Sequence, residues 1–512
     1  MKYHSPTCKL ALAGALASSL LLGSPDLAMA AGPPGPPSGP GAPGASPGLR
    51  MATGAPQSLI RPPVMPPVCD RVPAELSTAN GLFSNAVELS PPDTSRIQAA
   101  LDHCAGTQGA VELASSGPFN AFVSGPLFVH GGEYLLVQAG VTLYASRNAE
   151  DYQKPGASQC GYIAGNGNGC YALINIEGNG SGVMGTRSPD GTLGTIDGRG
   201  WATMINGQSD ESWWALAEQA KSGGHQNNPM LINGYGVNNV TIYQVKLTDS
   251  PFFHILVQNG SGLTVWGVEV DTPAVGARNT DGIDPKNELD VVIAHDMVQD
   301  GDDCIAFTSD PGTPTEDATV EDVHCYGSHG ISIGSPTGGG VSNILVRDVT
   351  LDGYDSLGEL STDDNGVRVK SEPGHGGLVQ DITYENVCMT GVQYPLYFTP
   401  HYSSSTSTSY IPDFRDIVVD GVRATGSVPG GYSLFEGYSA SEPLQIELAH
   451  VDLDNTAQSP DNAYVQASVE RSNITPVGTD VSVAQVKGIP GHVPVCTFPP
   501  FGPPPPVGPP GP

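Results

Sequence analysis

Short runs of alternating β-branched residues recur through the middle of the chain, most of them marked off by an Asn or Asp turn residue. The clearest are Asn239-Val240-Thr241-Ile242, Gly262-Leu263-Thr264-Val265, Asp290-Val291-Val292-Ile293, Asp317-Ala318-Thr319-Val320, Asn343-Ile344-Leu345-Val346, Asp381-Ile382-Thr383-Tyr384 and Asp416-Ile417-Val418-Val419. The apolar runs start at 240, 263, 291, 318, 344, 382 and 417, so the steps are 23, 28, 27, 26, 38 and 35 residues. That spacing predicts a coil of several short strands per turn, repeated as one solenoid rather than as two or three domains. A β-sandwich would need hairpin turns every 8 to 12 residues, far closer than these steps. Helical patterning is slight: Thr94 to His103, placed to cap the open N-terminal end of the solenoid, and Ser212 to Ala220.

The ends read differently. Lys2 and Lys9 precede an apolar run from Leu10 to Leu22 and then Ala28-Met29-Ala30, the pattern of a signal peptide over residues 1–30 with cleavage before Ala31. The apolar run is too short for a membrane span. Residues 31–67 and 497–512 are dominated by Pro and Gly and predict semi-rigid, solvated segments on either side of a 68–496 domain. Cys8 leaves with the signal. Cys69, Cys104, Cys160, Cys170, Cys304, Cys325, Cys388 and Cys496 remain, an even set in an exported chain, and so read as disulfides. Pairing nearest neighbours gives Cys69 with Cys104, Cys160 with Cys170, Cys304 with Cys325, and Cys388 with Cys496. No Cys-Xaa-Xaa-Cys pair suggests a zinc site.

The chain carries 21 Lys and Arg against 52 Asp and Glu, a formal charge of −31. Nucleic acid and anionic membranes are therefore excluded as expected partners. A polyanionic substrate requires local cations.

Four segments, each about one coil after the last, hold charged residues where a purely structural solenoid would place small or apolar ones. They are Asn279-Thr280-Asp281, Gly301-Asp302-Asp303, Gly327-Ser328-His329-Gly330 and Arg368-Val369-Lys370, the last delayed by an insertion around Leu351 to Asp364. On one side of their coils, three carboxylates, an imidazole and two cations converge. Asp302 and Asp303 are adjacent and share a face only if the chain bends at Gly301. Arg368 and Lys370 share one without any irregularity.

These motifs resemble the four signatures of the polygalacturonases, pectin-degrading glycoside hydrolases, and of those most nearly the bacterial endo-acting members. The resemblance runs from about Cys69 to Leu448 and includes Gly194 to Gly200, Asp249 to His254 and Asp381 to Val387. It implies an all-β, right-handed parallel β-helix and an inverting, metal-free hydrolysis of α-1,4-galacturonan without a cofactor. Asp302 would be the general acid, while Asp281 and Asp303 position and deprotonate the attacking water. Like-charge repulsion in the trio is expected to raise one pKa, and the resemblance assigns that proton to Asp302. His329 would tune the proton transfer, Arg368 and Lys370 would bind a galacturonate carboxylate, and Asn279 would hold the Asp281 loop or a sugar. Tyr402 aligns with a substrate-facing tyrosine, although Thr399, Pro400 and His401 depart from the family pattern. Asp284 and Asp317 read as turn or ladder carboxylates, and His254 and Trp266 as structural.

The expected protein is thus a secreted, monomeric enzyme acting on polygalacturonate or pectin. Exo action, a substituted pectin as substrate, a Ca²⁺-dependent lyase or a non-catalytic wall-binding solenoid are the competing readings. Endo or exo action would be decided by whether loops such as 351–364 or 403–412 block one end of the cleft.

Overall fold

The recurring runs stack in register. Ile242, Val265, Ile293, Val320, Val346, Tyr384 and Val419 pair strand to strand in a parallel ladder, one residue from each repeat. The computed structural model describes residues 51–56, 59–167, 169–208 and 211–506. Over them the chain winds into a right-handed parallel β-helix whose coils build one sheet of 22 strands and another of 10. The signal-peptide reading and residues 31–50 lie outside the described residues, as do 507–512 at the far end.

The ten-stranded sheet shows why the sequence coils. Leu127, Ile174, Ile232, Ile255, Ile283, Ile305, Ile331, Val367 and Leu396 form one continuous inward column. None of them is more than 1% exposed. A branched side chain stacked on its like in the next coil fills the interior without gaps, and each such burial stabilises the fold by roughly 1.5–3 kcal/mol. The turns into the other sheet are made by Asn and Asp: Asn239, Asp290, Asp317, Asn343, Asp381 and Asp416 all have φ between 48° and 59°. Their short polar side chains make the left-handed region accessible where other residues would be strained.

Both expected helices are present, as Thr94–Cys104 and Trp213–Ala220. The first buries Ile97, Ala100, Leu101 and Cys104, spaced 3, 1 and 3 apart on one face, against the first coils. The second is capped by the Ser212 hydroxyl, which accepts from Ala215 N at 3.1 Å. A five-residue helix, Asn85–Leu89, was not anticipated. It carries Glu88 to the buried Arg199 guanidinium at 2.9 Å. The four disulfides join the cysteines as nearest-neighbour pairing has them.

Part of the Pro/Gly-rich segment, expected to be solvated, packs against the solenoid at Ala52, Ala55, Leu59 and Ile60, while Val64 is exposed. Ala52 N donates to Thr383 Oγ1 at 2.7 Å and Ala55 N to Thr319 Oγ1 at 3.0 Å. Ala55, Leu59 and Ile60 pack with Trp266, Val292 and Ala294. Small residues let this strap lie close against the outer face of the larger sheet. At the other end, the Phe501 ring meets Tyr326 edge-on, and Tyr326 Oη donates to Pro499 O at 2.7 Å. No helix among the described residues is long and apolar enough to cross a membrane.

Candidate active site

Asp281, Asp303 and His329 each stand two residues before a member of the inward column, namely Ile283, Ile305 and Ile331. They therefore occupy equivalent points of three successive coils, about 4.8 Å apart per step. Asp302 joins them because the chain turns at Gly301. A Cβ there would run into the Ala277 carbonyl oxygen. Gly301 N donates to Thr280 Oγ1 at 3.0 Å, and Asp302 N to Asp300 Oδ1 at 3.0 Å. The bend puts both neighbouring carboxylates on a cleft of about 490 Å³, whose walls include Asn279, Asp281, Asp284, Lys370 and Tyr402.

The three aspartates have different surroundings. Asp302 Oδ1 faces His329 Nδ1 at 3.0 Å and accepts from Asp303 N at 3.0 Å, while its Oδ2 accepts from Asn279 Nδ2 at 3.1 Å. The orientation of the Asn279 amide is set from behind, where Gln226 Nε2 donates to Asn279 Oδ1 at 3.1 Å. Asp303 accepts from Lys370 Nζ at 2.7 Å, Arg368 Nη1 at 3.3 Å and Ser332 Oγ at 2.8 Å. Asp281 is buried, and its Oδ1 has no partner.

These contacts distribute the protons. Burial pushes Asp302 up, but His329, Lys370 and Arg368 outweigh it and hold the carboxyl well below the usual range. His329 moves the other way: burial lowers it, Asp302 and Asp303 raise it more, and its proton is held more firmly than usual. Asp281 is pushed well above the carboxylate range by burial, then by Asp302, Asp284 and Asp303. The shifts of Asp302 and His329 both favour the proton on His329 over Asp302, where it was expected, across their 3.0 Å hydrogen bond. Like-charge repulsion falls instead on Asp281, which has no donor to relieve it.

Arg368 and Lys370, expected to bind a galacturonate carboxylate, are also engaged within the protein. Both are buried, at 2% and 5% exposure, and both point at Asp303. Arg368 Nη2 also reaches Asp363 Oδ2 at 2.7 Å, a residue supplied by the insertion. Lys370 lines the cleft. Tyr402 lies over both cations, its ring centre 5.4 Å from Arg368 and 5.0 Å from Lys370, and is the exposed member of the group. His254 is buried behind the site, its Nδ1 against the Thr280 and Asp281 carbonyls, and burial lowers it to about 4.

Asp284 was read as a turn or ladder carboxylate, and the structure puts it on the cleft wall. It is buried with Oδ1 unpartnered, and burial, Asp303 and Asp302 raise it well above the carboxylate range. Its signal was parity: Asp284 follows the inward Ile283 and so faces out. Gln226 and Ser332 were missed, and Gln226 carries no local signal because it lies 53 residues from Asn279.

Ligand atoms of Asp302, Asp303 and His329 lie within 4.8 Å of one another, as a metal site would require. Lys370, Arg368 and Ser332 already occupy both oxygens of Asp303, which suits a proton-transfer cluster better than a cation. A polar cleft on a parallel β-helix with close carboxylates is an arrangement that a glycoside hydrolase can use. The model of the glycosyl hydrolases family 28 matches residues 176–472, and the chain belongs to that family. It is 35% identical over 446 residues to a polygalacturonase of Ralstonia solanacearum, covering 78% of this chain and 81% of that one. An endo-polygalacturonase of Pectobacterium parmentieri is 35% identical over 77% of this chain and 90% of its own. The solved polygalacturonase of Erwinia carotovora superposes with a TM-score of 0.68 at 32% identity, over 80% of this chain and 98% of that one.

Proposed function

We propose that this chain is an exported, monomeric endo-polygalacturonase that hydrolyses α-1,4-galacturonan with inversion at Asp281, Asp302 and Asp303. The observation that carries the reading is the His329–Asp302 hydrogen bond beside two further carboxylates and Lys370 in one cleft. Asp302 is the general acid, and His329 holds its proton between turnovers. A substrate carboxylate at Lys370 offsets one of the cations that keep Asp302 low. The proton then moves along the 3.0 Å bond to Asp302 and on to the leaving oxygen.

Asp303, kept ionised by Lys370 and Arg368, orients the attacking water and takes its proton. Asp281 completes the water site from the preceding coil. Arg368 fixes Asp303, Asn279 fixes Asp302, and Tyr402 offers its exposed ring to a sugar face. One displacement by water leaves the new reducing end with inverted configuration.

Early-time NMR of the products from polygalacturonate tests this directly. The expected first product is the opposite anomer, released in full activity with excess chelator. A retained anomer would overturn the roles of Asp281 and Asp303. Chelator-dependent release of an ultraviolet-absorbing unsaturated uronide would make the enzyme a lyase. Mixed oligomers at early times are expected from endo action, against monomer or dimer alone from exo action.

A further inference from the structure

The outward columns that build the cleft continue past the two cations, and their chemistry changes there. Beyond His329 and Asn365 the first column reaches Tyr394, which pairs with Asn365. Arg368 pairs with Tyr397 in the second, and Lys370 with Thr399 in the third. Tyr394 meets Tyr397 edge-on at 5.9 Å and Tyr432 of the following coil at 5.0 Å. On the other flank, His401 stacks on Tyr438 at 5.4 Å, its Nδ1 held by Glu436 at 3.0 Å. Thr399 Oγ1 donates to the second Glu436 oxygen at 2.8 Å.

This stretch is aromatic, and its charges have the wrong sign for a polyanion. The ionised acids here are Asp363, beside Tyr394 and Tyr397, and Glu436 on the opposite flank, whereas buried Asp364 is raised to about 7 and adds little charge at acidic pH. The Arg368 guanidinium is already shared by Asp303 and Asp363, and the His401 imidazole is hydrogen-bonded to Glu436. An ionised galacturonate unit placed here would face carboxylates without a free counter-charge. A methyl-esterified unit carries no charge, and its sugar face and methyl group suit tyrosine rings.

We propose that the surface beyond Arg368 and Lys370, where the columns that build the cleft continue, is a binding subsite for uncharged, methyl-esterified galacturonate units, so that the enzyme cuts beside an ionised unit flanked on one side by esterified ones. This rests on the proposed polygalacturonase activity. It assigns Tyr394, Tyr397 and Tyr432 as the platform and Glu436 as the group that discriminates against ionised units.

The test digests partially methyl-esterified pectin with the full chain and sequences the products by tandem mass spectrometry. Esters are expected two or three units from the cut, enriched on one side and depleted on the other. Combined Tyr394→Ala and Tyr432→Ala should lower kcat/KM on esterified pectin, relative to unesterified polygalacturonate, by about threefold to tenfold, the range for losing aromatic contacts. Glu436→Lys should shift the same ratio towards the unesterified polymer. An even distribution of esters about the cut, or a ratio unmoved by these substitutions, overturns the proposal. If the tyrosine variant fails to fold, the wild-type product sequences still decide. An enzyme that releases nothing from unesterified polygalacturonate would instead sink the proposed activity, so the two failures are distinguishable.

Discussion

The two sheets share one interior and differ on their outer faces. Inside, both stack branched apolar side chains coil upon coil. Outside, the larger sheet presents Thr241, Thr264, Val292, Thr319, Leu345, Thr383 and Val418 in register, with the 51–60 strap laid over part of that column. At equivalent points the smaller sheet presents Asn233, Leu256, Asp284, Ala306, Ser332, Arg368 and Tyr397. The interior therefore determines that the chain coils, and the outward columns determine what a given side of the coil does. A β-helix suits this division because parallel register turns a spacing along the sequence into a distance of about 4.8 Å per coil.

The same contrast separates stability from catalysis. Threonines and a strap on the larger sheet satisfy backbone groups and exclude water. On the smaller sheet, the unpartnered buried oxygens of Asp281 and Asp284 cost stability, and they persist because the surrounding fold imposes them. The largest expected effect follows. Asp302→Asn removes the carboxylate through which the His329 proton reaches the leaving oxygen, while keeping the shape and the Asn279 and His329 neighbours. It should lower kcat by at least about 10²-fold with little change in KM. Ile305→Ala, two residues past Asp303 in the same coil, should do the reverse, costing about 2–5 kcal/mol of stability. Steady-state kinetics and thermal unfolding on both variants check the pair. Near-normal turnover in Asp302→Asn would move the acid role to Asp281, whose carboxyl is pushed well above the usual range by burial and its acidic neighbours.

The next effect belongs to Lys370. As a substrate cation alone, its removal would raise KM. Because it also bonds Asp303 at 2.7 Å, Lys370→Ala leaves a buried carboxylate with one cation fewer. Both kcat and KM should therefore suffer, with kcat/KM lower by roughly 1.5–3 kcal/mol, the value of a charged hydrogen bond. Kinetics on one oligogalacturonate would show it, and a pure KM effect would mean that Asp303 does not need the lysine.

The pH profile follows from the same cluster. His329 has its pKa raised in the folded chain, so the shared proton is present below that value and is lost as the pH rises through it. Activity should fall along that limb, and His329→Gln should remove the limb together with much of the activity. Stability should follow the buried acids. Asp197, Asp249, Asp364 and Glu288 are raised by burial to about 6, 7, 7 and 8. Each binds its proton more tightly folded than unfolded. Their contribution is complete below about 4, the ordinary carboxylate value, and is lost as the pH rises through 6 to 8. Buried His254, lowered to about 4, opposes this by costing stability as the pH falls below its unfolded value of about 6.5. With four carboxylates against one imidazole, the melting temperature should be several degrees higher at pH 5 than at pH 8. An equal or higher value at pH 8 would contradict these shifts.

Much of this was legible from residues alone, for a physical reason. The seven β-branched runs are local, their steps are long enough to exclude hairpins, and stacking makes every copy do the same thing. The Gly301 bend was likewise readable, because adjacent aspartates cannot otherwise share a face. What sequence did not give depends on distance across coils. Asp302's low pKa needs His329 at 3.0 Å, and the pairing of Arg368 and Lys370 with Asp303 needs the fold to bring residues 65 and 67 positions apart together. The strap was the clearest miss. Its Pro, Gly and Ala composition reads as solvated, yet Ala52 bonds a residue 331 positions away. Small size makes such a segment a poor core and a good fit to a flat sheet.

The smallest expected effect tests that strap. Asn343 joins it to the sheet: its Oδ1 accepts from Thr53 N at 2.7 Å and Gly54 N at 3.0 Å, and its Nδ2 donates to Gly54 O at 3.1 Å and Asp317 Oδ1 at 2.5 Å. It also holds φ 54°, which asparagine tolerates better than alanine. Asn343→Ala loses those bonds and adds backbone strain, but the freed strap amides can turn to water because this edge is partly exposed. The net cost should be about 1–2 kcal/mol, in the range of one or two hydrogen bonds plus the left-handed penalty. Thermal unfolding should register this as a modest drop, accompanied by faster proteolysis within residues 51–67. Since the strap lies on the larger sheet and the cleft on the smaller, kcat and KM on polygalacturonate should stay within about twofold, and Asn343→Gly should recover part of the loss by accepting the same φ. A kinetic change as large as that of Lys370→Ala would mean that the two outer faces are coupled through the shared interior and that the division between them does not hold.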